Sequence, residues 1–513
     1  MATMRQLHGF PGGLRLEGHK QVATGRPSAR LPLSHEYVLP LRQHEGDPAR
    51  PVVTAGDRVL RGEVVARAEG WLSLPLHAPT SGQIVDVEAR QIPHRSGLMA
   101  DCIVLRADGR DASVDPAPAI EHPGDVHPSR LRNRLRECGV AGLGGAAFPA
   151  HVKLNPAGRR IDTLIINGAQ CEPWISCDDM LLREQAEEVV SGARVLQTAL
   201  ECERVIFAVE DATPEAAGSL EDAIAQAGDP RLELAIVPAI YPEGGERQLI
   251  QTLLGREVPS GGLPADLGVL CHNVGTAAAA HRAVHEGRAL DERMITVTGD
   301  GVHEPRNLRA RIGTPVSELV AFAGGYTEGV RRLIMGGPMM GFALGSDEVP
   351  VVKGTTCILA AASDALAASR EPLPCIRCGE CAEVCPAGLL PQQLYSHARQ
   401  RDLEGAADYH LFDCIECGCC DYVCPSHIPL VQYFHAAKTE TWARRRDRQK
   451  AELARERYEA RQARLERQAE EKRRRLERKK QALEEGKRKD PDQEDVAALI
   501  SRARSRKRRE DKD

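Results

Sequence analysis

Two cysteine runs carry the clearest chemistry in this sequence. Cys375, Cys378, Cys381 and Cys385-Pro386 follow C-x2-C-x2-C-x3-C-P, and Cys414, Cys417, Cys420 and Cys424-Pro425 repeat it. Three thiolates so close in sequence can wrap three corners of an iron-sulfur cubane, with a fourth supplied from farther along the chain. Nine of the sixteen cysteines lie between Cys375 and Cys424, and such clustering in a reducing compartment argues for metal rather than a disulfide framework. A pair of zinc sites is the alternative at this spacing. Cys419 lies off the pattern and reads as a small buried side chain.

A second constellation is rich in glycine. Gly142-Leu143-Gly144-Gly145-Ala146-Ala147-Phe148-Pro149 follows a helical stretch, Ser129 to Glu137, and precedes Lys153. Glycines let successive backbone N–H groups turn onto a phosphate, and a nearby ammonium adds a point charge. The loop is not the G-x-G-x-x-G dinucleotide fingerprint. Three polar loops accompany it: Asn167-Gly168-Ala169-Gln170-Cys171-Glu172, Tyr241-Pro242-Glu243-Gly244-Gly245-Glu246 and Cys271-His272-Asn273-Val274-Gly275-Thr276. Each follows an apolar run that reads as a strand, where ligands of an α/β sheet bind. The four loops could converge on one site.

These residues need elements to hold them, and the chain reads as a multidomain α/β protein. Residues 1–36 form an N-terminal segment. Short β-branched runs with Gly turns over 37–115 predict a small β module. Strand and helix patterns alternate over 128–287, with strands near Thr163, Arg204, Glu233 and Gly268 and helices at Leu181 to Glu201 and Glu215 to Gln226, the signature of a largely parallel sheet. Residues 290–345 read as a separate α+β module. The cysteine runs occupy 366–432, with one helix expected from Leu389 to Gly405 between them.

Residues 437–513 form a charged tail. From Lys438 to Asp513 there are 28 Lys and Arg against 18 Asp and Glu, a surplus of 10 positive charges, although the whole chain of 513 residues has a net charge of -5. Ala, Glu, Arg, Lys and Gln dominate it, predicting a solvated or frayed helix, with a disordered tail the alternative. Leu453, Leu465, Leu476 and Leu483 keep no heptad seam. Docking on anionic headgroups or an acidic partner is a second reading of the tail, whereas nucleic acid is disfavoured because no aromatic platform accompanies the cations.

The double cysteine run is similar to that of bacterial two-cluster ferredoxins, in which the fourth Cys of each run ligates the other cluster. That resemblance implies one [4Fe-4S] cluster on Cys375, Cys378, Cys381 and Cys424 and another on Cys414, Cys417, Cys420 and Cys385, in an α-helical ferredoxin domain. The β module resembles a biotinyl or lipoyl barrel-sandwich domain in scaffold only, because no lysine occurs between Lys20 and Lys153 to carry a cofactor. From about Phe10 to Pro429, module order and motifs resemble the C-subunit family of the Rnf ion-translocating electron-transport complex. The α/β part is similar to the FMN-binding subunit of respiratory complex I, whose loop reads G-x-G-G-A-G-F-P; Ala147 stands at its sixth position here, and Ala169 where that pattern has an acidic residue. The resemblance implies a Rossmann-like domain holding non-covalent FMN through Gly142, Gly144, Gly145, Lys153, Asn167, Gly245, Glu246, Asn273 and Thr276. Glu172 would be catalytic, facing the nicotinamide of the substrate NADH. A β-grasp (SLBB-type) domain would follow.

The resulting expectation is an oxidoreductase subunit passing electrons between NADH, FMN and two [4Fe-4S] clusters, peripheral on the cytoplasmic face of a bacterial inner membrane. Its partners would be the membrane-spanning and peripheral subunits of the complex, with ferredoxin a further candidate, the membrane surface a contact for the tail, and nucleic acid not involved. Composition agrees: mean hydropathy is -0.35, no run approaches the roughly 20 apolar residues of a bilayer span, and Met1 to Pro11 carries no apolar h-region of a secretory signal. The alternatives are a soluble NADH- or ferredoxin-linked dehydrogenase subunit and a non-catalytic iron-sulfur redox sensor.

Overall fold

Continuous apolar runs alternating with amphipathic helices build a four-stranded, all-parallel sheet from Thr163–Gly168, Arg204–Glu210, Leu232–Val237 and Val269–Asn273. Strands buried on both faces need no polar alternation, and Val205 to Val209 are indeed wholly buried. The helices Cys177–Leu200, Pro214–Ala227 and Glu246–Leu254 lie in the three connections, and Val274–His285 follows the last strand. In spatial order Leu232–Val237, Arg204–Glu210, Thr163–Gly168, Val269–Asn273, the direction of winding reverses between the last two. That reversal opens a crevice at the strands' carboxyl ends.

This computed structural model describes residues 6–363, 366, 371–489 and 496–510. Residues 1–5 of the expected N-terminal segment, 367–370 of the expected ferredoxin domain, and 490–495 and 511–513 of the expected tail lie outside the described residues. The chain divides into two units, Met1–Ala437 and Lys438–Asp513.

Within the first unit, the β module is two antiparallel sheets. One contains Glu36–Pro40, Met99–Ala107, Gly82–Gln91 and Arg58–Val59; the other contains Arg50–Pro51, Val64–Arg67 and Leu76–His77. Tyr37, Leu39, Val65, Ile84, Ile103 and Leu105 fill the space between them and continue into the core of the parallel-sheet domain. The next domain is a six-stranded sheet that gathers Glu292–Thr298, Arg306–Arg311, Arg332–Met335 and Phe342–Ala343. It also takes in Ala29–Arg30 and Cys357–Ala361, both outside 290–345.

The cysteine-rich part is helical, with Leu394, Leu403, Leu411, Ile428 and Phe434 at its core. The single helix expected over Leu389 to Gly405 is instead two, Pro391–Gln400 and Leu403–Asp408. Arg401 turns left-handed at φ 58°, and the Asp402 side chain accepts from the Gly405 N–H at 3.0 Å, capping a new start. The N-terminal segment straps these parts together. The Gly13 N–H donates to the Val384 carbonyl, Leu14 pairs with Tyr241, and Arg30 stands in register with Arg309.

The second unit comprises the greater part of the helix Leu430–Lys489 and the helix Val496–Glu510. Every side chain from Arg444 to Gly486 is exposed, as expected of a helix sustained by propensity and neighbouring-turn ion pairs such as Arg455–Glu459. Among the described residues, no helix is long and apolar enough to cross a membrane.

Candidate functional site

The crevice at the winding reversal is lined from both sides by predicted residues. Asn167 and Asn273 end adjacent strands and are register partners. The Asn167 amide donates to the Gly244 carbonyl at 2.9 Å, tying in the third loop. Asn273 caps the helix Val274–His285 by accepting from Gly275 N–H at 2.8 Å, and its amide donates to Asp178 Oδ2 at 2.7 Å. The glycine loop joins through Leu143, whose N–H donates to Thr276 Oγ1 at 2.9 Å, and through Gly144, where a Cβ would stand 3.3 Å from that of Asn273. The four loops therefore meet.

Two glycines shape the mouth. Gly145 sits at φ +109° with nothing within 4 Å of the place a Cβ would take, so the loop's crest is open. A Cβ on Gly244 would lie 2.1 Å from the Ala169 carbonyl, so only glycine lets the two loops close. Gly142 donates its N–H to the Phe148 carbonyl at 2.8 Å, closing the base of the loop. Lys153 extends from the short helix Ala150–Lys153 to Glu246 Oε1 at 2.7 Å, just past Gly245, which caps the helix Glu246–Leu254.

Glu172 lies elsewhere in the network. Its Oε1 accepts from the N–H groups of Met339 and Met340 at 2.7 and 3.0 Å, gripping a turn of the six-stranded-sheet domain. Burial pushes its carboxyl up, against the pull of those two N–H groups. Sequence reasoning missed the charged groups beneath the loop. Arg293, buried, donates from Nη2 to the Leu143 carbonyl at 3.0 Å, and burial raises the Asp178 carboxyl. Asp178 was discoverable, since acids favour a helix's first turn; Arg293, amid a β-strand, gave no local signal. Glu243 is fully buried with neither carboxylate oxygen hydrogen-bonded, and burial pushes it up to about 7.

The thiols form two sets. Burial is foremost in raising Cys420, which also feels the like charges of Cys414, Cys417 and Cys385. These four surround one small cavity with Leu394 and Phe434. Cys381, raised chiefly by burial, feels Cys378 and Cys424, while Cys375 and Cys378 are exposed. Each run thus sends its fourth cysteine to the other set. Cys419 is fully buried and bonds to the Cys417 sulfur, which holds the Cys417 thiol below its ordinary value. Among the described residues, no three His, Cys, Asp or Glu side chains converge at single-ion spacing.

Four family models match in chain order: an RnfC barrel sandwich hybrid domain over residues 8–110, a Nuo51 FMN-binding domain over 135–282, an SLBB domain over 294–343 and a 4Fe-4S dicluster domain over 374–428. The C-subunit of the ion-translocating oxidoreductase complex of Salmonella gallinarum is 44% identical over 453 residues, 88% of this chain and 67% of that protein. The chain belongs to this C-subunit family. The Pseudomonas aeruginosa member is 49% identical over 461 residues, 90% of this chain, and that of Erwinia tasmaniensis 45% over 457, 89% of it. The chain spans 59% and 56% of those two relatives' lengths. Among solved structures, an NAD+-reducing [NiFe]-hydrogenase in its H2-reduced state aligns at TM-score 0.44 and 19% identity, covering 62% of each chain.

The residues fit the groups that the domains of this family imply. An open glycine crest, a lysine held by Glu246 and polar strand ends at a winding reversal suit the phosphate and ring of FMN. Eight cysteines in two C-x2-C-x2-C-x3-C runs, each run's fourth thiol lying with the other run, suit two [4Fe-4S] clusters, because each cubane takes four thiolates.

Proposed function

We propose that this chain is the peripheral electron-entry subunit of a membrane-bound, ion-translocating oxidoreductase complex, acting from the cytoplasmic face of the inner membrane with NADH as donor. The observation that carries this reading is the coexistence, in one compact unit, of a switch-point crevice and two interleaved thiol sets, one of them packed against the crevice's own loops. FMN would supply the junction between two-electron and one-electron chemistry, and the clusters the one-electron carriers.

The chain's own residues divide the remaining work. Lys153, steered by Glu246, places a positive charge for the phosphate, and the crest at Gly145 leaves room for its oxygens. Gly142, bonded to Phe148, closes the base of that loop, and Thr276 holds it at Leu143. Asn167 and Asn273 lock neighbouring loops, so the crevice is preorganised rather than assembled by the ligand. Glu172 stands at the strand end bordering the nicotinamide side, where its grip on Met339 and Met340 sets the distance of the neighbouring domain. Cys375, Cys378, Cys381 and Cys424 ligate one cluster and Cys414, Cys417, Cys420 and Cys385 the other. The partners are the membrane-spanning and peripheral subunits that move the ion.

The test is an anaerobic absorption spectrum of the purified chain before and after NADH, with metal analysis. A bleached flavin band, a fall in the broad cluster absorbance, and about eight irons per chain by the four-iron stoichiometry of such sites are expected. Zinc in place of iron, or a flavin that NADH leaves oxidised, would overturn the proposal.

A further inference from the structure

The segment running from Tyr241 through Gln248 touches the crevice and one thiol set at once. Its middle belongs to the crevice: the Gly244 carbonyl receives Asn167, and Glu246 receives Lys153. Its two ends reach the set formed by Cys385, Cys414, Cys417 and Cys420. The Tyr241 hydroxyl donates to the Cys417 carbonyl at 2.5 Å. The Gln248 amide donates to the carbonyl of Pro386, next to Cys385, at 3.2 Å. Arg247 Nη1 lies 3.3 Å from Asp413 Oδ1, next to Cys414. Three of the four thiols in this set are therefore flanked by contacts from one eight-residue segment. The other set has Cys375 and Cys378 out in solvent.

Tyr241 is the most enclosed of these contacts. It is 2% exposed and packs in a small apolar cluster with Cys417 and Cys419, bordered by Leu14, Met339 and Val384. The hydroxyl's positive end points at the peptide carrying the Cys417 sulfur, and the Glu172 carboxylate lies against the same hydroxyl. Hydrogen bonds and burial around ligand sulfurs are established levers on cluster potential. A single electron arriving behind that peptide adds one negative charge and forms no bond, and a dipole aimed with its positive end toward that charge favours its arrival.

Building on the function proposed above, we propose that Tyr241 is a positioning residue that fixes the Cys385/Cys414/Cys417/Cys420 cluster against the flavin crevice and raises its reduction potential relative to that of the exposed cluster. This makes the enclosed cluster the first acceptor and leaves the exposed one to face the next protein.

The experiment is an anaerobic redox titration of the full chain followed by EPR, with Tyr241→Phe compared to wild type. Phenylalanine keeps the ring's packing and removes only the hydroxyl. Cys378→Ser, aimed at the exposed set, assigns the two signals. Tyr241→Phe should lower the potential of the enclosed cluster alone; a tenfold bias in a one-electron couple corresponds to about 59 mV. Gln248→Leu, which removes the bond to Pro386, should move the same signal should the tyrosine variant not load its clusters. Flavin content should stay stoichiometric in both. Unchanged potentials in wild-type-like spectra, or a shift confined to the exposed cluster, would overturn this inference while leaving the two-cluster reading standing. A wild-type chain without two cluster signals would instead overturn the proposed function, and this inference with it.

Discussion

Reversing the charge at Lys153 tests where the phosphate sits. The ammonium lies 2.7 Å from Glu246, and the two side chains are 27% and 37% exposed, so the pair is neither buried nor fully solvated. Unit charges 4 Å apart interact by about 1 kcal/mol in water and about 4 kcal/mol at an effective dielectric constant of 20. At this exposure a pair energy of about 1–2 kcal/mol is appropriate. Lys153→Met removes an attraction of that size toward the phosphate, weakening FMN binding roughly 5- to 30-fold. Lys153→Glu replaces attraction by repulsion and doubles the change to about 2–4 kcal/mol, or roughly 30- to 1,000-fold. The assay is flavin stoichiometry after desalting, followed by calorimetric titration of the stripped protein with FMN. The ordering wild type, Met, Glu is the informative outcome. Retention of stoichiometric FMN by Lys153→Glu would show that the phosphate lies elsewhere.

Three further outcomes follow from other parts of the structure. Ala147 occupies a left-handed conformation at φ 49°, which costs a β-branched residue far more than alanine or glycine; Ala147→Val should destabilise the chain by more than about 2 kcal/mol and Ala147→Gly by less than about 1, read from urea midpoints. His77 and His272 are buried, and burial holds each down at about 3. Both stay neutral when folded while an unfolded histidine binds a proton below about 6.5, so stability is intact above that pH and falls as the pH drops toward 3, by about 2 kcal/mol per histidine at pH 5; His272→Leu should remove its share of the difference between unfolding midpoints at pH 7 and pH 5. Truncation after residue 443 removes the exposed basic run, and should spare flavin and iron content while reducing low-salt co-sedimentation with membranes lacking the partner subunits, a retention that salt screens in the full chain. Equal retention of both chains would leave the tail as a solvated helix.

Legibility in the sequence followed the range of the forces involved. The cysteine runs could be read because cluster ligation imposes short, fixed spacings, and the strand-end loops because a parallel sheet exposes its ligands at one edge. Asn167 and Asn273 could be named separately, but their adjacency depends on strand order, which no local pattern encodes. The strands Ala29–Arg30 and Cys357–Ala361 escaped for the same reason: two and five residues acquire strand geometry only from a distant partner. Asp402, an N-cap residue three before Gly405, was a readable local sign that the helix after Leu389 breaks. The grip of Glu172 on Met339 and Met340, and the reach of Tyr241 to Cys417, arise from domain docking and left no trace in spacing.

The strap formed by the N-terminal segment has a consequence for synthesis. Arg30 is paired with Arg309 and Gly13 with Val384, separations of about 280 and 370 residues. At roughly 5–20 residues per second, the ribosome needs about 14–75 seconds to deliver those partners after the strap itself has emerged. During that interval the strap can bond only to the parallel-sheet domain, through Leu14 and Tyr241, while Gly13 and Ala29–Arg30 still lack their partners. The segment translated early therefore completes its docking late, reaching the cysteine-rich part only after that part exists. A chain interrupted before Val384 would keep the bridge of Leu14 to Tyr241 but leave Gly13 without its partner, so a rise in protease sensitivity near Gly13 would report whether the cysteine-rich part has arrived and folded.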